Sequence, residues 1–452
     1  MQNDNPNVSI DSMPPVSPDE DPAVIAERIA QKRAKNLNLP PEPAEPEDNP
    51  KKKSKKKLII ALSIVFVLLL AGGGGAAYYF LVYKPEKEKT VDTSQATELT
   101  PEPKDEKKKE EAPKIFSRLS GEPIASEADN SSPTYCVQVP NGVDGARPQA
   151  GLTDAKVVFE AIAESGITRF AAIFQNPPAV IGPIRSLRIY YLNWDIPFNC
   201  TVVHAGGADD AINALHATGT RELDENNSYM WRTNANATMN RLWNNLFTSG
   251  ELLKAYNDSK GYLTSDVKSF PRYTPSDANI NKINLQAVNK LKIDQPSNGN
   301  TDELKPKVTH MSFHYGNIPN FNPVFDYDVE SNTYKRSYET GLAHEVYDCN
   351  GQSGEVVPET ACTLKQLSPS VVIAMMVQEK KAAYDNYHED ISAIGAGDAY
   401  VFQNGDVIEA TWEKSSAEEQ IIFRDKSGNI INLIPGQTWI SAVPAYGLVH
   451  YE

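Results

Sequence analysis

The sequence is short of sulfur and of histidine. Its 452 residues hold four cysteines and seven histidines. No two cysteines stand in a Cys-x-x-Cys spacing, which excludes zinc ribbons and thioredoxin-type redox motifs. There is no P-loop and no Gly-x-Ser-x-Gly elbow, so two common catalytic signatures are absent. Gly395-Ala396-Gly397 lacks the third glycine of a dinucleotide loop and precedes an expected strand rather than a helix. His310 and His314 have the spacing of metal ligands, but Val308–Tyr315 alternates like a strand. Four strand residues separate their rings by about 13 Å, too far to share a zinc held at roughly 2 Å. No metal and no cofactor are expected. Net positive charge is lacking as well: 44 basic against 59 acidic residues leave −15. Without a basic footprint, no nucleic-acid partner is expected.

One long apolar run stands out against this polar background. Residues 58–83 carry no charge, and six lysines fill Lys51–Lys57 just before them. About 20 apolar residues cross a bilayer, and basic flanks stay on the cytoplasmic side. The pattern predicts a single transmembrane helix over 58–83, an N-terminus in the cytoplasm and residues 84–452 outside the cell membrane. Tyr78, Tyr79 and Tyr83 suit the outer interface. A cleaved signal peptide is the rival reading, but the polar segment ahead of the run is long for one. No cysteine near the run offers a lipid attachment site. Residues 1–57 balance to zero, so the net −15 lies beyond the span.

Composition divides the rest. Residues 1–57 are a polar tail too poor in apolar side chains to bury a core, and a disordered cytoplasmic segment is expected. Within it, the stretch from Asp21 to Asn36 could form a short helix, read first as transient and without a partner and alternatively as a docking helix for a cytoplasmic protein. Residues 84–114, rich in Pro, Glu, Lys and Thr, read as a flexible linker. The remaining length exceeds what one core usually supports. The expected fold class is α+β, with a mixed α/β ectodomain over 115–297 and a β-rich domain over 298–452. The break falls in the polar stretch Asp294–Lys305. All four cysteines lie outside, where disulfides persist. Cys349 and Cys362 flank a Gly/Pro loop, which would leave Cys136 for Cys200. Four cysteines allow three pairings, so connectivity stays open.

Periodicity supplies the elements. Lys156–Ala163 and Thr168–Gln175 read as strands about the turn Glu164-Ser165-Gly166. Helices are expected over 186–196, 208–217 and 248–257, the last capped by Thr248 or Ser249. In the second half Val308–Tyr315, Val324–Val329, Tyr334–Tyr338 and Val371–Val377 read as strands. Asn404-Gly405 marks a type I′ hairpin between Asp398–Phe402 and Val407–Trp412.

The chemistry-bearing candidates cluster in the first half. Arg185 and Arg188 follow Gly182-Pro183 and open a helix. His204 closes a strand ahead of Gly206-Gly207 and another helix, and Arg169 follows the turn. Arginine forks and helix N-termini suit carboxylates and phosphates, so Arg169, Arg185, Arg188, His204, Gly206 and Gly207 are candidate ligand-binding residues. His204 and Glu160 are candidate catalytic residues. The plainer reading gives these arginines to local carboxylates and the glycines to backbone geometry. Glu160 and Glu164 share a strand face about 13 Å apart, beyond either glycosidase spacing. Trp231, Trp243, Trp412 and Trp439 could line a sugar groove or simply be core.

An ordered set of segments resembles a known family. Ala146-Arg147-Pro148-Gln149-Ala150-Gly151-Leu152, Val158-Phe159-Glu160, Gly166-Ile167-Thr168-Arg169-Phe170, Ile181–Arg188 and Val203-His204-Ala205-Gly206-Gly207 resemble the YerB-like bacterial lipoproteins. Gly395–Trp412 and Pro435–Ile440 extend the resemblance over residues 115–452. It implies an envelope location and a two-part ectodomain, and assigns no activity. The sequence departs from the family in its apolar span and in Asn244-Asn245-Leu246, where relatives tend to carry His-Asn-Leu. Two functions follow as expectations. One is binding of an anionic cell-wall polymer or an envelope protein through the Arg185/Arg188/His204 face. The other is an envelope hydrolase acting on a glycan or phosphodiester, with His204 and a carboxylate as acid and base.

Overall fold

The computed structural model describes residues 115–233, 244–274, 306–382 and 387–452. The first half provides β1 (Tyr135–Pro140), β2 (Val157–Glu164), β3 (Ile167–Phe174), α1 (Ile189–Asp195), β4 (Thr201–Val203), α2 (Asp209–Thr218), β5 (Glu222–Leu223) and α3 (Gly250–Lys260). The second provides β6 (His310–His314), β7 (Pro323–Asp328), β8 (Thr333–Tyr338), β9 (Val371–Val377), β10 (Gly395–Gln403) and β11 (Asp406–Lys414). It ends with β12 (Ile422–Asp425), β13 (Thr438–Pro444) and β14 (Leu448–Tyr451). Local chemistry sets the turns. Ser165 and Gly166 both have positive φ, as do Asn404 and Gly405, which is what a two-residue I′ hairpin needs. The Ser249 hydroxyl accepts the Leu252 N–H at 3.1 Å and starts α3.

The expected succession of an α/β domain and a β-rich domain is corrected by the sheet. Both halves build one ten-stranded sheet, in the order β12-β11-β10-β9-β13-β2-β3-β1-β4-β5. Near the chain end, β13 inserts between β9 and β2 and runs parallel to both, with Thr438 opposite Val371 and Val157. The described chain is mostly strand with few helices. The reason is burial. Every residue of β2 and β13 is buried, so both faces of the central strands must be covered. Alternate residues serve two cores. Val157, Phe159 and Ala161 pack with Tyr190, Tyr191, Trp194 and Leu215 of α1 and α2. Val158 and Trp439 pack with Met311, Phe313 and Phe325 on a four-stranded sheet of order β8-β7-β6-β14. Phe159 stacks on Trp194 with centroids 5.2 Å apart.

Two disulfides close the question of pairing. Cys136 bonds Cys200 beside the parallel pair β1/β4, and Cys349 bonds Cys362 across a short antiparallel pair. The tail 1–57, the apolar run 58–83, the linker 84–114 and the expected domain break at 294–305 lie outside the described residues. Among the described residues no helix is long and apolar enough to cross a membrane, so the single transmembrane helix of the expected fold has no support in the structure.

Candidate functional site

Strand direction gathers the predicted residues at one edge. β13 is parallel to β9 and β2, β3 is antiparallel to β2 and β1, and β4 is parallel to β1. Thus β1, β2, β4, β9 and β13 all point the same way. Their carboxyl ends deliver His204, Glu164, Glu379 and Tyr446 to one side of the sheet, the side where open α/β sheets take ligands.

The arginines reach that edge and are spent on it. Glu164, closing β2, is gripped by the Nη2 atoms of Arg169 on one oxygen and of Arg188, at 2.9 Å, on the other. All three are buried. Arg169 also donates to the Ser186 carbonyl at 3.0 Å, and Arg188 to the Leu187 carbonyl at 3.0 Å. Burial alone would raise the Glu164 pKa, but Arg169 and Arg188 outweigh it and hold the carboxyl below its usual range. Arg185 is half-buried and its backbone N–H donates to the Gln138 carbonyl at 2.9 Å. Burial, then the charge of Arg169, lowers its pKa.

His204 is buried with both ring nitrogens engaged. Nδ1 lies 2.8 Å from the Gly206 carbonyl and Nε2 lies 3.0 Å from Glu222. The His204 bond is the main cause holding the Glu222 carboxyl below its usual range. Gly206 offers its N–H as predicted, but Glu225 takes it at 2.7 Å. Gly207 is a packing glycine, because a Cβ there would sit 2.7 Å from Ile212. Arg169 and Arg188 therefore meet on Glu164, while Glu222 takes His204 and Glu225 takes the Gly206 N–H.

Glu160 belongs to a different, fully buried network. Arg336 donates to both its oxygens at 2.9 and 3.0 Å, Trp439 donates at 2.9 Å and Thr168 at 3.0 Å. Arg336 also contacts His344, whose other nitrogen lies 3.0 Å from Gln149. Burial, then Arg336, drives the His344 pKa well below that of free histidine. Glu160 is thus remote from solvent and already saturated. Sequence reasoning missed Arg336, although Tyr334, Arg336 and Tyr338 occupy the inward positions of β8. A charge at such a position signals a buried partner.

An open cleft adjoins the arginine edge. Its volume is about 310 Å³, and it is lined by Ile162 and Gly166 at the end of β2, the Tyr315–Ile318 segment, the Glu379–Lys381 and Glu389 ribbon, and Tyr446. Glu379–Lys381 pairs antiparallel with Glu389–Ile391, so Glu379, Lys381 and Glu389 share one face. Lys381 pairs with Glu389, and the Tyr446 hydroxyl donates to Glu379 at 2.7 Å. Burial, opposed by the Tyr446 hydrogen bond and aided by the charge of Glu389, pushes the Glu379 carboxyl up to about 7. Of the lining residues, Tyr446 and Ile318 stay exposed. No spacing in the sequence marks these residues. Only the shared direction of β2, β9 and β13 brings them together.

The remaining candidates resolve simply. His310 pairs with Asp326 at 2.8 Å, and among the described residues no three His, Cys, Asp or Glu side chains gather as a metal site. Trp231, Trp412 and Trp439 are buried and offer no stacking face, and Trp243 lies outside the described residues.

Comparison with known proteins bears on the family. The model of the "Protein of unknown function (DUF3048) N-terminal domain" matches residues 119–263, and that of the DUF3048 C-terminal domain matches residues 312–440. The two matches together span more than half of the chain. The "Putative lipoprotein YerB" of Bacillus subtilis (strain 168) is 27% identical over 337 residues, which is 74% of this chain and 87% of the relative. The crystal structure of the YerB protein from Bacillus subtilis is similar with a TM-score of 0.56 at 24% identity, covering 75% of this chain and 100% of that one. That likeness supports the fold alone.

Proposed function

From the premise that this chain belongs to the DUF3048 family of YerB-like proteins, we propose that it is a membrane-associated, extracytoplasmic binding protein for a cell-wall component. The location rests on the lipoprotein description of the Bacillus relative. The observation that carries the binding role is the cleft at the carboxyl ends of β2, β9 and β13. It combines exposed apolar and aromatic side chains with a few convergent polar groups, the usual makeup of a ligand site. The arginine edge supports it less, because internal carboxylates occupy its donors.

The hydrolase alternative has weaker support. His204 is buried with both nitrogens engaged. In the cleft, Glu389 is already paired with Lys381 and Glu379 accepts from Tyr446.

Cosedimentation of the purified protein with purified bacterial cell wall tests the proposal. Wild type is expected in the wall pellet, with binding weakened several-fold by Tyr446→Ala or Ile318→Ala. Both side chains are exposed, so neither change disturbs the core. Failure of the wild type to sediment would overturn the proposal. Loss of binding in Arg185→Ala but not in Tyr446→Ala would move the site to the arginine edge.

A further inference from the structure

We infer that the group this cleft recognises is a primary ammonium, held by Glu379 with Glu389 and walled by Tyr446; the inference rests on the wall-binding reading above. The first support is charge. The cleft face of the ribbon presents two acids, Glu379 and Glu389, and one base, Lys381, which is committed to Glu389. Lys380 also lines the cleft, but its Nζ lies 3.3 Å from Asp390, its partner across the ribbon. Among the described residues no lysine or arginine forms an ion pair with Glu379, and Lys381 acts on it only through its charge. The neighbouring elements supply none either. Glu164 at the end of β2 is already neutralised by Arg169 and Arg188, and Tyr315-Gly316-Asn317-Ile318 is uncharged. Both lysines of the ribbon are thus taken by Asp390 and Glu389, and Glu379 is left without a cation at ion-pair distance among the described residues.

The second support is the cost of that shortage. A carboxylate drawn out of water needs a counter-charge or a proton. Here the proton serves, since burial and Glu389 push the Glu379 carboxyl up to about 7. An ammonium can take the place of that proton. Its three donors match two carboxyls, and aromatic rings stabilise a cation placed against them. An anion would face both carboxylates, and a metal ion would find no third acidic or imidazole ligand grouped there among the described residues. The volume of about 310 Å³ suits a side chain or an end group of a polymer rather than a polymer segment.

The test uses purified bacterial cell wall before and after acetylation of its free amines, with wild type and Glu379→Gln. Acetylation is expected to weaken wild-type binding about tenfold or more, and Glu379→Gln to do the same on the untreated wall. Between pH 6 and pH 8 Glu379 ionises while a lysine-type amine stays charged, so wild-type affinity is expected to rise roughly tenfold. Glu379→Gln, checked for an unchanged Tm, is expected to show no such rise. Binding that survives acetylation would overturn the ammonium assignment and leave wall binding standing. Binding to neither wall would overturn both.

Discussion

Arg336 holds both carboxylate oxygens of Glu160, at 2.9 and 3.0 Å, with neither side chain exposed to solvent. Glu160 lies on β2 and Arg336 on β8, so this pair ties the two halves of the chain across the core face that Trp439 also seals. Removing one partner leaves the other charge buried and alone. Glu160→Gln or Arg336→Met is expected to cost about 3–5 kcal/mol in urea unfolding. Glu160→Leu combined with Arg336→Met is expected to recover much of that loss. Full stability with lost wall binding in Glu160→Gln would instead revive Glu160 as a ligand-contacting residue.

How much of this was legible in the sequence follows from the range of each interaction. Ser165-Gly166 and Asn404-Gly405 announce their hairpins because a type I′ turn is decided by two residues. Ser249 announces α3 because a cap is decided within one turn. The sheet shared by the two halves is not legible in the sequence, because β13 finds β2 from 279 residues away, as in the Trp439–Glu160 bond. Alternation reveals which face of a strand is apolar and says nothing of its neighbour. The arginine motifs were visible for what they are, but their partners Glu164, Glu222 and Glu225 could equally have been solvent ligands' competitors or their absence. Only geometry shows them in place.

The Arg169–Glu164–Arg188 clamp predicts acid sensitivity. The folded Glu164 pKa is held below its unfolded value, so its stabilisation is complete above about 4.5 and lost as pH falls through the folded value. At pH 7, Glu164→Gln leaves two buried guanidiniums without a counter-ion and is expected to cost about 3–5 kcal/mol. Denaturation from pH 7 to pH 3 should show that gap narrowing at the acid end. A gap independent of pH would mean that Glu164 carries no net charge in the native state.

The two disulfides predict unequal losses. Cys136–Cys200 closes a separation of 64 residues and Cys349–Cys362 one of 13. Loop-closure entropy assigns them about 4 and about 3 kcal/mol respectively. The first also pins a buried sheet element, whereas the second closes a partly exposed pair. Double serine variants compared by urea unfolding should rank Cys136/Cys200 as the costlier loss. The reverse order would place the greater constraint in the 349–362 loop.

Asp195 is the residue whose removal should help. Its side chain is fully buried, one oxygen accepts the Gln138 amide at 2.8 Å, and the other has no partner among the described residues. Burial pushes its pKa well above the usual aspartate value, and the Gln138 bond opposes this only in part. Folded Asp195 therefore keeps its proton at pH values where the unfolded chain has released it. Its contribution is fully present below about 3.8 and declines as pH rises toward the folded pKa. Asp195→Asn keeps an oxygen acceptor for Gln138 and has no proton to lose. The variant should gain on the wild type by up to about 1.4 kcal/mol per pH unit through that window. Urea unfolding of both proteins at pH 4 and pH 8 measures the difference. A variant that loses ground as pH rises would show Asp195 to be ionised and paired in the native protein.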